Sequence, residues 1–384
     1  MNSGLVLMTR TILLLVGILS ACTRVLAAQA YLYTDIGIGT WRSLNNNGVA
    51  VGDVEVGGLK IPLLWANGRA TQLSLGENSE ASARTINDSG LIVGTNSRSA
   101  ILWRSNGEPR SLPLPPGSGR FSYILPFDMN RSGAIVAQVR DDTFGGGWGS
   151  GRWSETQFER RLYGNVSAIN NAGDTVGDVR SGSPGNLSNT AYFQKANGSV
   201  IIIGAPQAPG RISRFNSSAS DLNDLGTVLL SGYLWRSGVF TSLGSFEGRR
   251  INNQGQVAGA VSGEAAVWSD GVITTLGPYL SAINGIRGSV AADINDAGQI
   301  LVYVEKGNGQ VQGSILTPVP APVALTGSVG SGFRISIKKG SKAVTTLRAG
   351  RYKITINDNT SSHNFHLIGP GVDKKKPVFL PSRR

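Results

Sequence analysis

One nine-residue phrase recurs seven times along this 384-residue chain, and it restricts the fold more than any other feature. It reads LNNNGVAVG from Leu44, INDSGLIVG from Ile86, MNRSGAIVA from Met129 and INNAGDTVG from Ile169. It continues as LNDLGTVLL from Leu222, INNQGQVAG from Ile251 and INDAGQILV from Ile294. Its asparagines are Asn45, Asn87, Asn130, Asn170, Asn223, Asn252 and Asn295, with a mean spacing near 42 residues and individual spacings from 29 to 53. Asn-x-x-Gly between short apolar runs specifies a tight hairpin turn: the asparagine side chain caps it, and glycine at the fourth position tolerates a positive φ. On this reading the asparagines serve the turns and need no ligand.

Two further strand signals follow each phrase. The first is an apolar run ending in an aromatic residue, at Trp65, Trp103, Trp153, Phe193, Trp235 and Trp268; the seventh copy, around Ile315, lacks the aromatic. The second ends in Leu-Gly or a weaker equivalent, at Gly76, Gly164, Gly204, Gly244 and Gly277 and at SLPL before Pro115. With the strand that leads into each asparagine, every unit holds about four strands. A period near 42 with four strands predicts a β-propeller blade. The last unit lacks its Leu-Gly strand, and an unpaired copy lies at the other end, at 33–37. The predicted architecture is therefore all-β: a seven-bladed β-propeller over 31–317, closed by its N-terminal strand, which removes two exposed sheet edges. An open β-solenoid is the alternative.

The repeated phrase, followed by A-x-x-W and x-x-L-G, resembles the HAF-type extracellular repeats of bacteria across about three quarters of the chain. The histidine of that repeat is absent: Ala100, Ala191 and Ala266 stand without it. The resemblance implies an extracellular setting and no activity.

Residues 1–30 read as a signal peptide, with Arg10 before the apolar run TILLLVGILSA, too short for a transmembrane helix of ~20 residues. Leu19-Ser20-Ala21-Cys22 resembles a lipobox, which makes Cys22 a candidate lipid-attachment residue; ordinary cleavage after Ala30 is the competing route. Either places the protein outside the cytoplasm, secreted or in a bacterial cell envelope.

A linker spaced by Pro318, Pro320 and Pro322 occupies 318–322. Beyond it, 323–384 resembles the first half of a plastocyanin-like, cupredoxin-type β-sandwich through LRAGRYKITINDNTSSHNFHLIGPGV. The resemblance places a copper-ligating histidine at His363. Such a centre needs a thiolate and two imidazoles, and no Cys, His or Met follows His366. The copper site is incomplete, so no cofactor is expected. The net charge of +12 is concentrated here, with twelve Lys/Arg and two Asp from Arg334 onward. No nucleic-acid reader motif accompanies it, so nucleic acid is excluded as a partner, whereas an anionic membrane surface can be met by this segment or through lipid on Cys22.

Residues 31–362 contain neither His nor Cys, which removes triad, thiol and histidine-metal mechanisms. The carboxylate sets Asp53 with Glu55, Asp141 with Asp142, and Asp174 with Asp178 read as turn or surface charges. The glycine-rich loop 141–151 offers Phe144 and Trp148 as candidate ligand-binding residues. The expectation is a monomeric, non-enzymatic binding or structural module for an extracellular protein or glycan. The alternatives are a copper-binding or electron-transfer protein and a carboxylate-dependent carbohydrate-active enzyme.

Overall fold

The structure is a computed structural model that describes residues 29–96, 99–104, 108–119, 122–140, 148–181, 188–204, 217–320, 322–329, 335–347, 352–358, 366–369 and 372–375. Strands dominate, and among the described residues a single 3-10 turn, Gly277–Tyr279, is the one helical element. Between 31 and 318 the strands form seven four-stranded antiparallel sheets. Six of them use four successive strands; the first, for example, runs Thr40–Leu44, Ala50–Val56, Leu59–Ala66 and Arg69–Gln72. The seventh is completed from the far end of the chain, where Tyr31–Ile38 pairs antiparallel with Val311–Pro318. The N-terminal strand thus pairs where the strand count placed it, and the all-β, propeller-like architecture stands. Pro318 belongs to this last strand rather than to the linker; it pairs with Tyr31 at the strand's end, where a missing N–H costs no ladder bond.

The repeat phrase builds the first hairpin of every sheet. Its glycine has positive φ in all seven copies, from +73° at Gly298 to +83° at Gly173. The glycine that ends the phrase has a different cause. At Gly94 an added Cβ would overlap the carbonyl oxygen of Ser82, and at Gly177 that of Asn165. Bulge and pleat bring the first two strands of these sheets too close for a side chain. Gly94→Ala is expected to cost about 1–3 kcal/mol through overpacking, read as a lower denaturant midpoint with unchanged slope.

The aromatic of the third strand is a wedge between sheets. Trp103 and Trp153 are fully buried, and their indole N–H groups donate to Ser74 O at 2.7 Å and Pro113 O at 2.8 Å. Both acceptors belong to the Leu-Gly segment of the preceding unit, so one repeat signal is the partner of the other. Phe193 packs on Trp235 of the next sheet with ring centroids 6.0 Å apart.

Every innermost strand carries a β-bulge three residues before its asparagine, at Arg42, Arg84, Phe127, Ser167, Ser220, Arg249 and Ala292. After the linker, Val323–Val329 and Tyr352–Asp358 pair in parallel within a four-stranded sheet, and His366–Gly369 forms a hairpin with Val372–Lys375.

Candidate functional site

The innermost strands end together at the seven asparagines, and this end of the central channel is the candidate site. Each asparagine does two jobs. Its Oδ1 caps its own turn: Asn45 Oδ1 accepts from the backbone N–H of Asn47 and of Val49, both at 3.0 Å. Its Nδ2 crosses to the next sheet and donates to the carbonyl of that sheet's asparagine. The bonds run Asn45 to Asn87 (3.1 Å), Asn87 to Asn130 (3.2 Å), Asn130 to Asn170 (3.1 Å) and Asn170 to Asn223 (3.3 Å). They continue Asn223 to Asn252 (3.0 Å), Asn252 to Asn295 (3.1 Å) and Asn295 back to Asn45 (3.0 Å). The belt closes on itself. All seven side chains are buried, which is where a satisfied amide gains most and an unsatisfied one costs most.

The next residue of each turn forms an outer rim. Asn171 donates its backbone N–H to Asp224 Oδ1 and its side-chain amide to Oδ2, both at 2.8 Å. Asn253 bonds Asp296 in the same way at 2.9 Å, and the Asp296 N–H donates to Asn46 Oδ1 at 2.7 Å. Asn46 donates to Asp88, whose Oδ2 also accepts from the Arg131 guanidinium at 3.0 Å. Although burial opposes ionisation of Asp88, the hydrogen bonds from Asn46 and Arg131 hold its carboxyl below the usual range.

Deeper in, two residues before the asparagine, stand Asp128, Asp221, Arg250 and Asp293. Each aspartate satisfies an edge N–H of the next innermost strand: Asp128 that of Ile169 (2.9 Å), Asp221 that of Ile251 (2.8 Å) and Asp293 that of Leu44 (2.7 Å). Burial raises all three carboxyls and the Arg250 charge opposes it, leaving Asp128 at about 6, Asp221 at about 7 and Asp293 raised. Burial alone would lower Arg250, but the three carboxylates hold its charge in place and raise its pKa. Rim and interior together line a depression of about 180 Å³ that reaches Asp128.

The sequence-predicted residues fall elsewhere. Cys22, Phe144 and His363 lie outside the described residues, as do Asp141 and Asp142. Trp148 begins the strand Trp148–Trp153 opposite Arg140, and its side chain is outside the description. Asp53 is tied to Arg42 at 3.1 Å and to Ser82, and Glu55 is exposed. Asp174 accepts from the Ala196 N–H and Asp178 from Asn165. These carboxylates stitch strands together and are not gathered at one cleft. Among the described residues no group of three or more His, Cys, Asp or Glu is arranged to hold a metal ion. The channel aspartates are not among the residues the sequence analysis singles out, although they share a visible pattern: Asp-Met-Asn at 128–130, Asp-Leu-Asn at 221–223 and Asp-Ile-Asn at 293–295.

No family model matches the chain, and no curated protein matches it in sequence. The HAF-type and cupredoxin resemblances therefore find no support there. Solved structures do match. A puromycin-hydrolyzing peptidase of Mycobacterium tuberculosis is 9% identical, with TM-score 0.50 over 81% of this chain and 53% of its own. An acylaminoacyl peptidase of Pyrococcus horikoshii is 14% identical, with TM-score 0.48 over 72% and 52%. The extracellular domain of a one-component-system candidate from B. thetaiotaomicron is 9% identical, with TM-score 0.46 over 74% and 40%. The chain spans about half the length of these proteins or less. At such identities the likeness shows a propeller-like fold. The expectation of a non-enzymatic module is withdrawn, because a propeller-like fold of this kind also occurs in a hydrolase, the puromycin-hydrolyzing peptidase. The missing His and Cys exclude particular mechanisms and leave carboxylate chemistry untouched. Among the described residues no helix is long and apolar enough to cross a membrane.

Proposed function

We propose that the protein is an exported seven-bladed β-propeller that binds a small organic cation, an ammonium-bearing molecule, in the depression at the mouth of its channel. The observation that carries this reading is the charge of that depression: Asp88, Asp128, Asp224 and Asp296 line it against a single guanidinium, Arg131. The rim carboxylates already accept protein hydrogen bonds, but a carboxylate offers about four lone-pair sites, so a cation can share oxygens that the rim has oriented. Charge concentrated in a concave, low-dielectric setting attracts a counter-ion more strongly than the same charge on an open surface. The parallel pairing of Val323–Val329 with Tyr352–Asp358 supports a separate sandwich domain for 323–384, of the cupredoxin type that its sequence resembles.

Calorimetry with spermidine at low ionic strength tests the cation reading, with neutral maltotriose as the comparison. Arg131→Gln removes the one positive charge of the mouth from an exposed side chain. It is expected to tighten spermidine binding about 3- to 10-fold, the effect of one charge at a partly solvated distance, and added salt should weaken binding. Absence of spermidine binding, an affinity indifferent to Arg131→Gln, or binding of maltotriose alone would each overturn the reading.

A further inference from the structure

One residue farther from the asparagine belt than the channel aspartates, the bulge layer of the innermost strands has a different chemistry. Innermost strands run toward the asparagine belt, so residues that precede the belt in sequence lie progressively farther from the mouth. The bulge layer holds Arg42, Arg84 and Arg249 and no carboxylate. Arg42 and Arg84 occupy the same register position on the first and second sheets, which the Asn45–Asn87 bond makes neighbours.

The two arginines are not equally provided for. Arg42 places Nε and one terminal nitrogen on Asp53 Oδ1, each at 3.1 Å, and that same oxygen accepts from Ser82. All three contacts fall on a single oxygen of the one carboxylate beside these arginines. Arg84 lies within electrostatic reach of Arg42, Tyr123 and Asp53, yet its Nε is buried and has no hydrogen-bond partner. Burial, and then the Arg42 charge, push its pKa down from the ordinary value. Guanidinium stays protonated regardless, so two like charges face one shared counter-ion. A buried donor without an acceptor is rare in a folded protein and commonly marks the place of a bound ion or water.

We propose that Arg84, together with Arg42, binds a small oxyanion, a phosphate or carboxylate group, at the bulge layer of the first two innermost strands. The guanidinium fork matches the spacing of oxygens in both groups. An oxyanion accepts from the orphaned Nε of Arg84 and offsets the repulsion between the two arginines. Water, which is neutral, can satisfy the donor but cannot offset the charge.

Equilibrium dialysis of the full chain against radiolabelled orthophosphate, and separately against glucuronate, tests the site and distinguishes its two sources. One anion per chain is expected. Arg84→Met should lower its affinity at least tenfold. Arg249→Met, in the same layer but on an exposed side chain, should change it less than threefold. Should Arg84→Met fail to fold, Arg42→Lys keeps the charge next to Asp53 and removes the fork, and a severalfold loss is expected from it. Preference for phosphate or for glucuronate then names the source. Binding of neither anion, or binding undiminished by both Arg84→Met and Arg42→Lys, overturns the proposal.

Discussion

Arg250→Met is expected to destabilise the protein by about 3–5 kcal/mol, the usual cost of leaving buried charge uncompensated. Arg250 stands among Asp128, Asp221 and Asp293 and is the cation that opposes the rise in all three carboxyls. Those aspartates cannot simply be discarded, because each holds a backbone N–H of the adjoining innermost strand. The loss should depend on pH. Folding raises Asp221 from 3.8 to about 7 and Asp128 from 3.8 to about 6. In that window the folded chain binds more protons than the unfolded one, so stability falls as pH climbs from about 4 to about 7 and levels off above it. Without Arg250 the carboxylates repel one another more strongly, and protonation relieves more. Urea unfolding at pH 5 and pH 8 should therefore show a larger deficit at pH 8. A deficit equal at both values would mean that Arg250 acts by packing and not by charge. Asp221→Asn, which retains an acceptor for the Ile251 N–H, should flatten the pH dependence of the parent protein.

Asn252→Asp is the second substitution with a large expected effect, about 3 kcal/mol. The change is isosteric, so packing hardly alters. Asn252 Oδ1 accepts from the N–H groups of Gln254 and Gln256 at 3.0 and 2.9 Å, and Asp can still do so. Its Nδ2, however, donates to Asn295 O at 3.1 Å and Gln256 Oε1 at 2.9 Å. A carboxylate would turn acceptor toward acceptor at both places, inside a buried belt. Asn308→Asp, on an exposed turn with its own local bonds, should shift stability by less than ~0.5 kcal/mol. Thermal unfolding of the two variants separates a ring bond from a turn cap. If Asn252→Asp behaves like Asn308→Asp, the belt contributes little.

The contrast shows which parts of the molecule the sequence displays. Turn, strand and edge are local or periodic facts. Asn-x-x-Gly sets a φ at Gly173, a missing strand after Ile315 demands a donor elsewhere, and both agree with the folded chain, in the turn geometry and in the pairing of Tyr31–Ile38 with Val311–Pro318. The belt is different. Nothing in a turn motif says that Asn170 will reach Asn223, 53 residues away, because that bond depends on how far apart neighbouring sheets sit. The channel aspartates were hidden for a related reason. Asp128, Asp221 and Asp293 are scattered singly along the chain and become a cluster only when the ring closes. Aromatic and glycine signals single out 141–151, whereas the charged groups that the channel collects occupy an unremarkable place inside the strands.

The seam formed by Tyr31–Ile38 and Val311–Pro318 joins positions nearly 290 residues apart in the chain, Tyr31 with Pro318. A ribosome or a translocation pore delivers the first of these segments long before the second. Until Pro318 emerges, the earliest strand has no neighbour in its own sheet, and Asn295 has not yet reached Asn45. Contacts of such long range are slow to form, so the ring is expected to close only once the last unit is complete. A nascent chain arrested before Val311 would carry six sheets and an unfilled place, with Tyr31–Ile38 open to whatever strand arrives first.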